Sequence, residues 1–187
     1  MPVPAQIERF VNAAGQVGAH VQTFADPSAA AAYIAAHAGG TCLPPLGASL
    51  DRLGFAAALQ QSGAALAPGI DRANAAGAAA AVTGANFALA ATGTVVLEST
   101  AEMVRLATTL PERHFVLLDP AKILADDLAA VPHLREFHRR QPRNYLAYIT
   151  GPSRTADIER VLTIGVHGPR ELHILLLAGL SADCLEL

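Results

Sequence analysis

An α/β fold, with a mainly parallel sheet and helices on both faces, is what this 187-residue sequence predicts. Two observations carry the prediction. Short apolar runs alternate with segments of helical periodicity, and residues 114–119 and 172–177 read as continuous buried strands. Hydrophobic residues make up 52% of the chain, which is enough to fill a complete core. No linker interrupts the pattern. Residues 1–187 therefore read as a single domain, with an N-terminal helical region over 1–40 and the most motif-rich part over 82–178.

Ile7, Phe10, Val11 and Ala14 recur at helical spacing and predict an opening amphipathic helix over 4–17, closed by Gly15 and Gly18. Residues 20–24 read as a short strand. Asp26 as a cap, with Pro27 in the first turn, starts a second helix that runs to Ala36 and stops at Gly39-Gly40. Thr41-Cys42-Leu43 is a brief strand, after which Pro44, Pro45 and Gly47 rule out regular pairing. A helix follows over 54–61, and alanine-rich 70–80 predicts another. Residues 82–98 hold two apolar runs hinged at Thr92-Gly93-Thr94, a hairpin or a strand pair. Beyond a short helix over 102–108 and the 114–119 strand, 126–140 is a helix bent or restarted at Pro132.

The tail carries the strongest functional signal. Residues 145–150 read as a strand that enters Gly151-Pro152-Ser153-Arg154-Thr155, and Ile158, Val161 and Leu162 space a helix behind it. Gly165, Gly168 and Pro169 end that helix before the 172–177 strand, so the tail predicts a βαβ unit. Such a turn lies beyond the carboxyl end of a strand, where a helix N-terminus presents unpaired N–H groups to anions. Arg154 would clamp a carboxylate or phosphate, and Ser153 and Thr155 would supply hydroxyls; an ordinary βα turn is the alternative. Gly93 lets the backbone of Thr92-Gly93-Thr94 approach a ligand, with a plain turn as the alternative. His167, beside Gly168, is the candidate acid, base or donor, or else a solvated loop histidine. No partner carboxylate can be assigned to it, so the catalytic residues stay unknown.

A net charge of −3 and a pI near 6.1 give no field that would gather nucleic acid, and the Arg-rich piece from Arg135 to Arg143 also contains Glu136. Cys42 and Cys184 form no Cys-x-x-Cys pair, so neither an iron-sulfur cluster nor a structural zinc is built from them, and a reduced cytoplasmic compartment is expected. The opening MPVPAQIERF lacks the features of a signal peptide, and no apolar run approaches the roughly 20 residues of a transmembrane segment. His133, His138 and His173 do not make three convincing metal ligands, so no metal is expected. Walker, Gly-x-Gly-x-x-Gly and Gly-x-Ser-x-Gly patterns are absent.

Ile149-Thr150-Gly151-Pro152-Ser153-Arg154-Thr155-Ala156-Asp157-Ile158-Glu159, followed by Gly165-Val166-His167-Gly168-Pro169, closely resembles the lactate-utilisation protein C family. Thr92-Gly93-Thr94-Val95-Val96-Leu97 matches a second signature of that family, and together the two cover about half of the chain. The resemblance implies the LUD domain, with a fold like that of ribose-5-phosphate isomerase, glucosamine-6-phosphate deaminase and coenzyme A transferases. It also implies a role in oxidising L-lactate to pyruvate beside two partner subunits, at least one of which carries iron-sulfur clusters. No cofactor is expected on this chain itself, which lacks the cysteines for a cluster. Family members often carry Glu before the Thr-Gly-Thr turn, where Ala91 stands here. The expected pocket joins Thr92, Gly93, Thr94, Ser153, Arg154, Thr155, His167 and Gly168 around a small anion. Two other readings stay open: a stand-alone enzyme acting on a sugar phosphate, coenzyme A ester or folate-like substrate, and a binding or scaffold module without catalysis.

Overall fold

The computed structural model describes residues 4–156 and 162–186, and in it eight strands form two stacked four-stranded sheets, with a two-stranded pair beside them. The first is wholly parallel, in the order β1 (His20–Phe24), β10 (Glu171–Leu177), β5 (Arg113–Leu118), β2 (Ala80–Gly84). β5 and β10 occupy its centre, which is why their sequences are near-continuous apolar runs: both faces are covered. Side chains alternate across this sheet. Phe115, Leu117 and Leu175 point to one face, where α2 (Pro27–His37) and α4 (Phe55–Gln61) pack through Ile34, Phe55 and Leu59. Val116, Leu118 and Ile174 point to the other, against Phe10 and Ala14 of α1 (Pro4–Gln16) and the second sheet. Each large side chain buried in this way contributes about 1.5–3 kcal/mol.

The second sheet is mixed, in the order β6 (Ile123–Leu124), β3 (Phe87–Leu89), β4 (Thr94–Glu98), β7 (Leu146–Ile149). The hairpin expected over 82–98 is realised by β3 and β4 alone. Val82 and Thr83 stay in the first sheet as part of β2, and Ala85-Asn86 carry the chain from one sheet to the other. α7 (Asp127–Arg140) covers the outer face of the second sheet, seating Ala130 and Phe137 on Phe87, Leu89 and Val96. Pro132 lies inside α7 without ending it, since near the helix start its missing N–H removes only one helical bond.

The carboxylates of Asp26, Asp71 and Asp126 accept the N–H of Ala29, Asn74 and Ala129 at 2.9, 2.8 and 3.0 Å, which fixes the starts of α2, α5 (Arg72–Gly77) and α7. α5 is shorter than the helix predicted over 70–80, because Ala80 and Ala81 pair in β2 beside β5. The region 1–40 is not all helical, since β1 forms an edge of the parallel sheet. α3 (Ala48–Arg52), with no apolar periodicity of its own, falls where a loop was expected, and α6 (Glu102–Thr109) falls where a short helix was.

The tail departs most from expectation. β7 runs antiparallel to β4, so it starts no parallel βαβ unit. Arg154–Ala156 is a strand, β8, paired antiparallel with β9 (Leu162–Ile164) in the register Thr155↔Thr163. Ser153 to Thr155 therefore do not open a helix. Ile158 and Val161, which suggested one, lie outside the described residues. Thr155, Thr163 and Ile164 are β-branched and suit the extended pairing, and a stripe of three apolar residues was too short to decide the period.

Candidate functional site

Ligands of parallel α/β sheets gather beyond the carboxyl ends of the strands. Beyond β2 lies a cleft of about 500 Å³, between α3 on one side and the ends of β4 and α6 on the other. Ser49, Thr83, Asn86, Glu98 and Thr100 are among the polar groups that shape it. The strap before α3 is tied alongside β2 by Leu46 N donating to the Val82 carbonyl at 3.0 Å and Gly84 N to the Leu46 carbonyl at 2.7 Å.

Asn86 pins the floor. Its Oδ1 accepts the Glu98 N–H at 2.6 Å and its Nδ2 donates to the Glu186 carbonyl at 2.6 Å, so both ends of the amide are used. Glu98 Oε1 accepts the N–H of Thr100 at 3.0 Å, which holds that carboxylate at the cleft edge. Buried Lys122 sets Nζ 3.1 Å from Glu186 Oε2, and Arg52 pairs with the other oxygen. Burial pushes the Glu186 carboxyl up, but the hydrogen bonds from Arg52 and Lys122 outweigh it and hold it below the usual range. No Lys or Arg lines the cleft among the described residues, whereas Asp51, Glu98 and Glu186 do. Its chemistry suits a ligand that presents hydroxyl or amine donors to Glu98 and to the buried hydroxyls of Ser49 and Thr83.

A second cavity of about 300 Å³ lies at the opposite, amino-terminal ends of β5 and β10, where His114 and Leu172 are the second residues of their strands. Ser153, His167 and Gly168 come together here. Ser153 N donates to the Pro169 carbonyl and the Ser153 carbonyl accepts from Gly165 N, each at 2.9 Å, and Gly168 packs against the Ser153 side chain. A hydrogen bond of 2.8 Å between His114 Nε2 and Thr83 Oγ1 links this cavity to the first cleft.

Of the remaining expected ligand residues, Gly93 lies against α1 and Arg154 against the loop that follows it. Gly93, at φ +68°, and Gly151, at φ +76°, each sit where a Cβ would overlap backbone, of Ala14 and Val17 respectively. The close approach that glycine permits is thus to the chain's own first helix and the loop after it. Thr94 Oγ1 lies 2.6 Å from Thr92 Oγ1 and 2.8 Å from Thr150 Oγ1, joining the two turns. Exposed Arg154 donates from Nη2 to the Val17 carbonyl, and Thr155 is taken up in the β8–β9 pair. Neither Arg154 nor Thr155 lines either cavity. His167 is exposed at the rim of the second one.

Ser49, Thr83, Asn86 and Glu98 were missed as site residues. Their signal is Thr83-Gly84-Ala85-Asn86, small and polar residues between two apolar runs, which passes for the interior of a hairpin until β2 and β3 are known to belong to different sheets. Among the described residues no group of three or more His, Cys, Asp or Glu could hold a metal ion, and no helix is long and apolar enough to cross a membrane.

With this geometry in hand, the chain can be set beside known proteins. It is 34% identical over 90 residues to lactate utilization protein C of Bacillus subtilis, a match covering 47% of this chain and 38% of that protein. It is 38% identical over 87 residues to the uncharacterized protein YkgG of Escherichia coli, covering 46% of this chain and 38% of the relative. An uncharacterized protein of Neisseria meningitidis is 40% identical over 93 residues, 50% of this chain and 40% of its own length. The matched stretch thus spans about two fifths of these relatives. In fold the chain is similar to the crystal structure of a DUF162 family protein from Deinococcus radiodurans, with a TM-score of 0.67 and 21% identity over 95% of this chain and 100% of that one. The LUD domain model matches residues 7–177, and the chain belongs to the LUD-domain family.

Proposed function

We infer that this chain serves L-lactate utilisation, as a LUD-domain component of the system that oxidises L-lactate to pyruvate beside iron-sulfur subunits. The observation that carries this reading is its likeness to proteins named lactate utilization protein C, at 30% to 38% identity over about half of the chain. Cys42 and Cys184 lie in separate packing clusters, which supports seating the cluster chemistry on partner subunits.

Within this role the ligand surfaces divide by charge. Glu186 is neutralised by Arg52 and Lys122, but the carboxylates of Asp51 and Glu98, with no ion pair among the described residues, disfavour an anion in the cleft beyond β2, so that cleft receives an uncharged, hydroxyl-bearing group. A small anion is met instead at the surface near Ser153 by Arg154 and His167, both exposed. Deleting the gene is expected to abolish growth on L-lactate as sole carbon source, with the wild-type gene restoring it. Unchanged growth in a strain with no redundant copy would overturn the role. Capture of the chain from lactate-grown cells is expected to bring down iron-sulfur subunits; a clean single species would favour a stand-alone enzyme working in the Glu98 cleft.

A further inference from the structure

The second sheet ends in a strand with an open side. β7 is its edge, and Leu146-Ala147-Tyr148-Ile149-Thr150 carries neither a charge nor a proline, the usual guards of a bare edge. Antiparallel strands turn alternate residues toward each other, so the bonds that β4 makes on its other side tell which groups of β7 are spent. The Val96 carbonyl accepts from Asn86 N at 2.9 Å and Glu98 N donates to Asn86 Oδ1 at 2.6 Å, so Val96 and Glu98 turn their backbone toward β3. Tyr148 and Leu146, which pair with them, therefore point N–H and C=O away from β4, where they have no hydrogen-bond partner among the described residues. Of the other sheet edges, β2 is covered by the strap, with Leu43 N donating to the Ala80 carbonyl at 2.9 Å, β6 is two residues long, and β1 borders neither cavity.

The cavity of about 300 Å³ runs along this open edge. Residues 147–153 line it without a break, although Ile149 packs between the sheets and Tyr148 faces the other way, within reach of the Asp127 charge. A space touched by residues of both faces lies beside the strand and not on one face of it. Ile149, Pro152, Pro169 and Leu172 make its walls mostly apolar, and no Asp, Glu, Lys or Arg lines it among the described residues. An aliphatic side chain is therefore the fitting occupant. Charge selects what lies to either side. Arg143 precedes β7 and Arg154 follows it, both exposed, and Glu136 is the sole acid beside Arg135, Arg139, Arg140 and Arg143 over 135–143. A second copy laid on this edge would set arginine-flanked ends against each other, whereas a segment with acidic ends is drawn in.

We propose that the outer edge of β7 and the cavity along it form a docking groove for an extended peptide segment of a partner protein, which adds a strand to the second sheet, seats one aliphatic side chain in the cavity and carries acidic residues at its ends. Main-chain bonds to Leu146 and Tyr148 supply the affinity, and the cavity and the flanking arginines select the sequence. Docking also covers an edge that the fold leaves bare. The inference does not depend on the lactate role, since it needs only an acidic extended segment, whichever protein supplies it.

The test is amide hydrogen exchange on the ¹⁵N-labelled chain, alone and with the synthetic peptide Asp-Glu-Val-Thr-Val-Glu-Asp. Alone, the amides of Leu146 and Tyr148 are expected to exchange fast while those of Ala147 and Ile149 are protected by β4. The peptide is expected to protect Leu146 and Tyr148 saturably. Slow exchange at both in the dilute chain, or no protection at millimolar peptide, would overturn the groove. Protection that grows with the chain's own concentration, without peptide, would replace the partner by a second copy. A peptide with lysines in place of its acids is expected to bind roughly tenfold more weakly, and equal binding would overturn the acidic ends. The same peptide N-methylated at its central residues should not bind, and binding by it would overturn strand addition. Tyr148→Pro removes an N–H that points away from β4 and is expected to weaken the peptide roughly tenfold; undiminished binding would count against the proposal. Should that variant fail to fold, the N-methylated peptide decides the same point on the wild-type chain.

Discussion

His114 and His173 lie on neighbouring strands, one register step apart, and face opposite sides of one sheet: Leu172 pairs with His114 and His173 with Phe115. Both are buried. On the helix side, His173 takes the Tyr33 hydroxyl on Nδ1 at 2.9 Å and Glu171 Oε2 on Nε2 at 3.1 Å, with its ring stacked on Phe115 and on His20. On the inter-sheet side, His114 has Thr83 alone and a cavity beside it. Burial lowers the pKa of both, and for His173 the hydrogen bond to Glu171 works against that shift. Both rings are shielded from solvent, His114 the more deeply, and they differ above all in partners. A ring with both nitrogens spent is a structural tie, and a ring with one unspent keeps a buried polar atom with no partner among the described residues.

Acid should separate the two most sharply. The folded pKa of His114, about 4, is below its ordinary value of 6.5, so between those limits the unfolded chain binds the proton and the folded chain does not. The stability associated with neutral His114 is therefore complete above pH 6.5 and is lost as pH falls to 4, by about 3 kcal/mol. Urea unfolding at pH 7, 5.5 and 4 is expected to show this loss in the wild-type chain and a clearly flatter profile in His114→Phe. An equally steep profile in that variant would move the acid sensitivity to His173 or to the carboxylates.

At neutral pH the order reverses. His173→Phe strips two partners at once, from the Tyr33 hydroxyl and the Glu171 carboxylate, and is expected to cost about 2 kcal/mol. In a chain of this length that is a fall in Tm of roughly 4–8 °C. Scanning calorimetry checks it. A change no larger than that of His114→Phe would mean that the closed network is worth no more than the open one.

The sequence places both histidines in strands and leaves their partners open. β5 and β10 are visible as apolar runs, and each histidine is plainly inside one, but nothing in the alternation says which strand pairs with which. α1, β1 and α2 are legible for local reasons: an apolar stripe, a turn, and Asp26 followed by Pro27. The division into two sheets is not local, and neither is the cleft, whose polar groups come from α3, β2, the link to β3 and the end of β4. Arg154 teaches the same lesson in reverse. Its forked charge next to a glycine turn reads as an anion clamp, and it donates to a carbonyl 137 residues away. That partner could come only from the fold.

The finest distinction lies between His114 and Thr83 themselves. Thr83 is 1% exposed, so either single change strands a buried partner: His114→Phe leaves the hydroxyl unpaired, and Thr83→Val leaves the imidazole with no partner on either nitrogen. Each is expected to cost about 1–2 kcal/mol at pH 7, while the double variant removes both polar groups and costs less than the sum. A double-mutant cycle by urea unfolding should therefore return a coupling of about 1 kcal/mol. Thr83→Val should be the worse single change, because only that variant keeps the ring whose second nitrogen was already unpaired. If His114→Phe is the worse of the two, the unspent nitrogen carries no penalty in the folded chain, and the contrast with His173 collapses to packing alone.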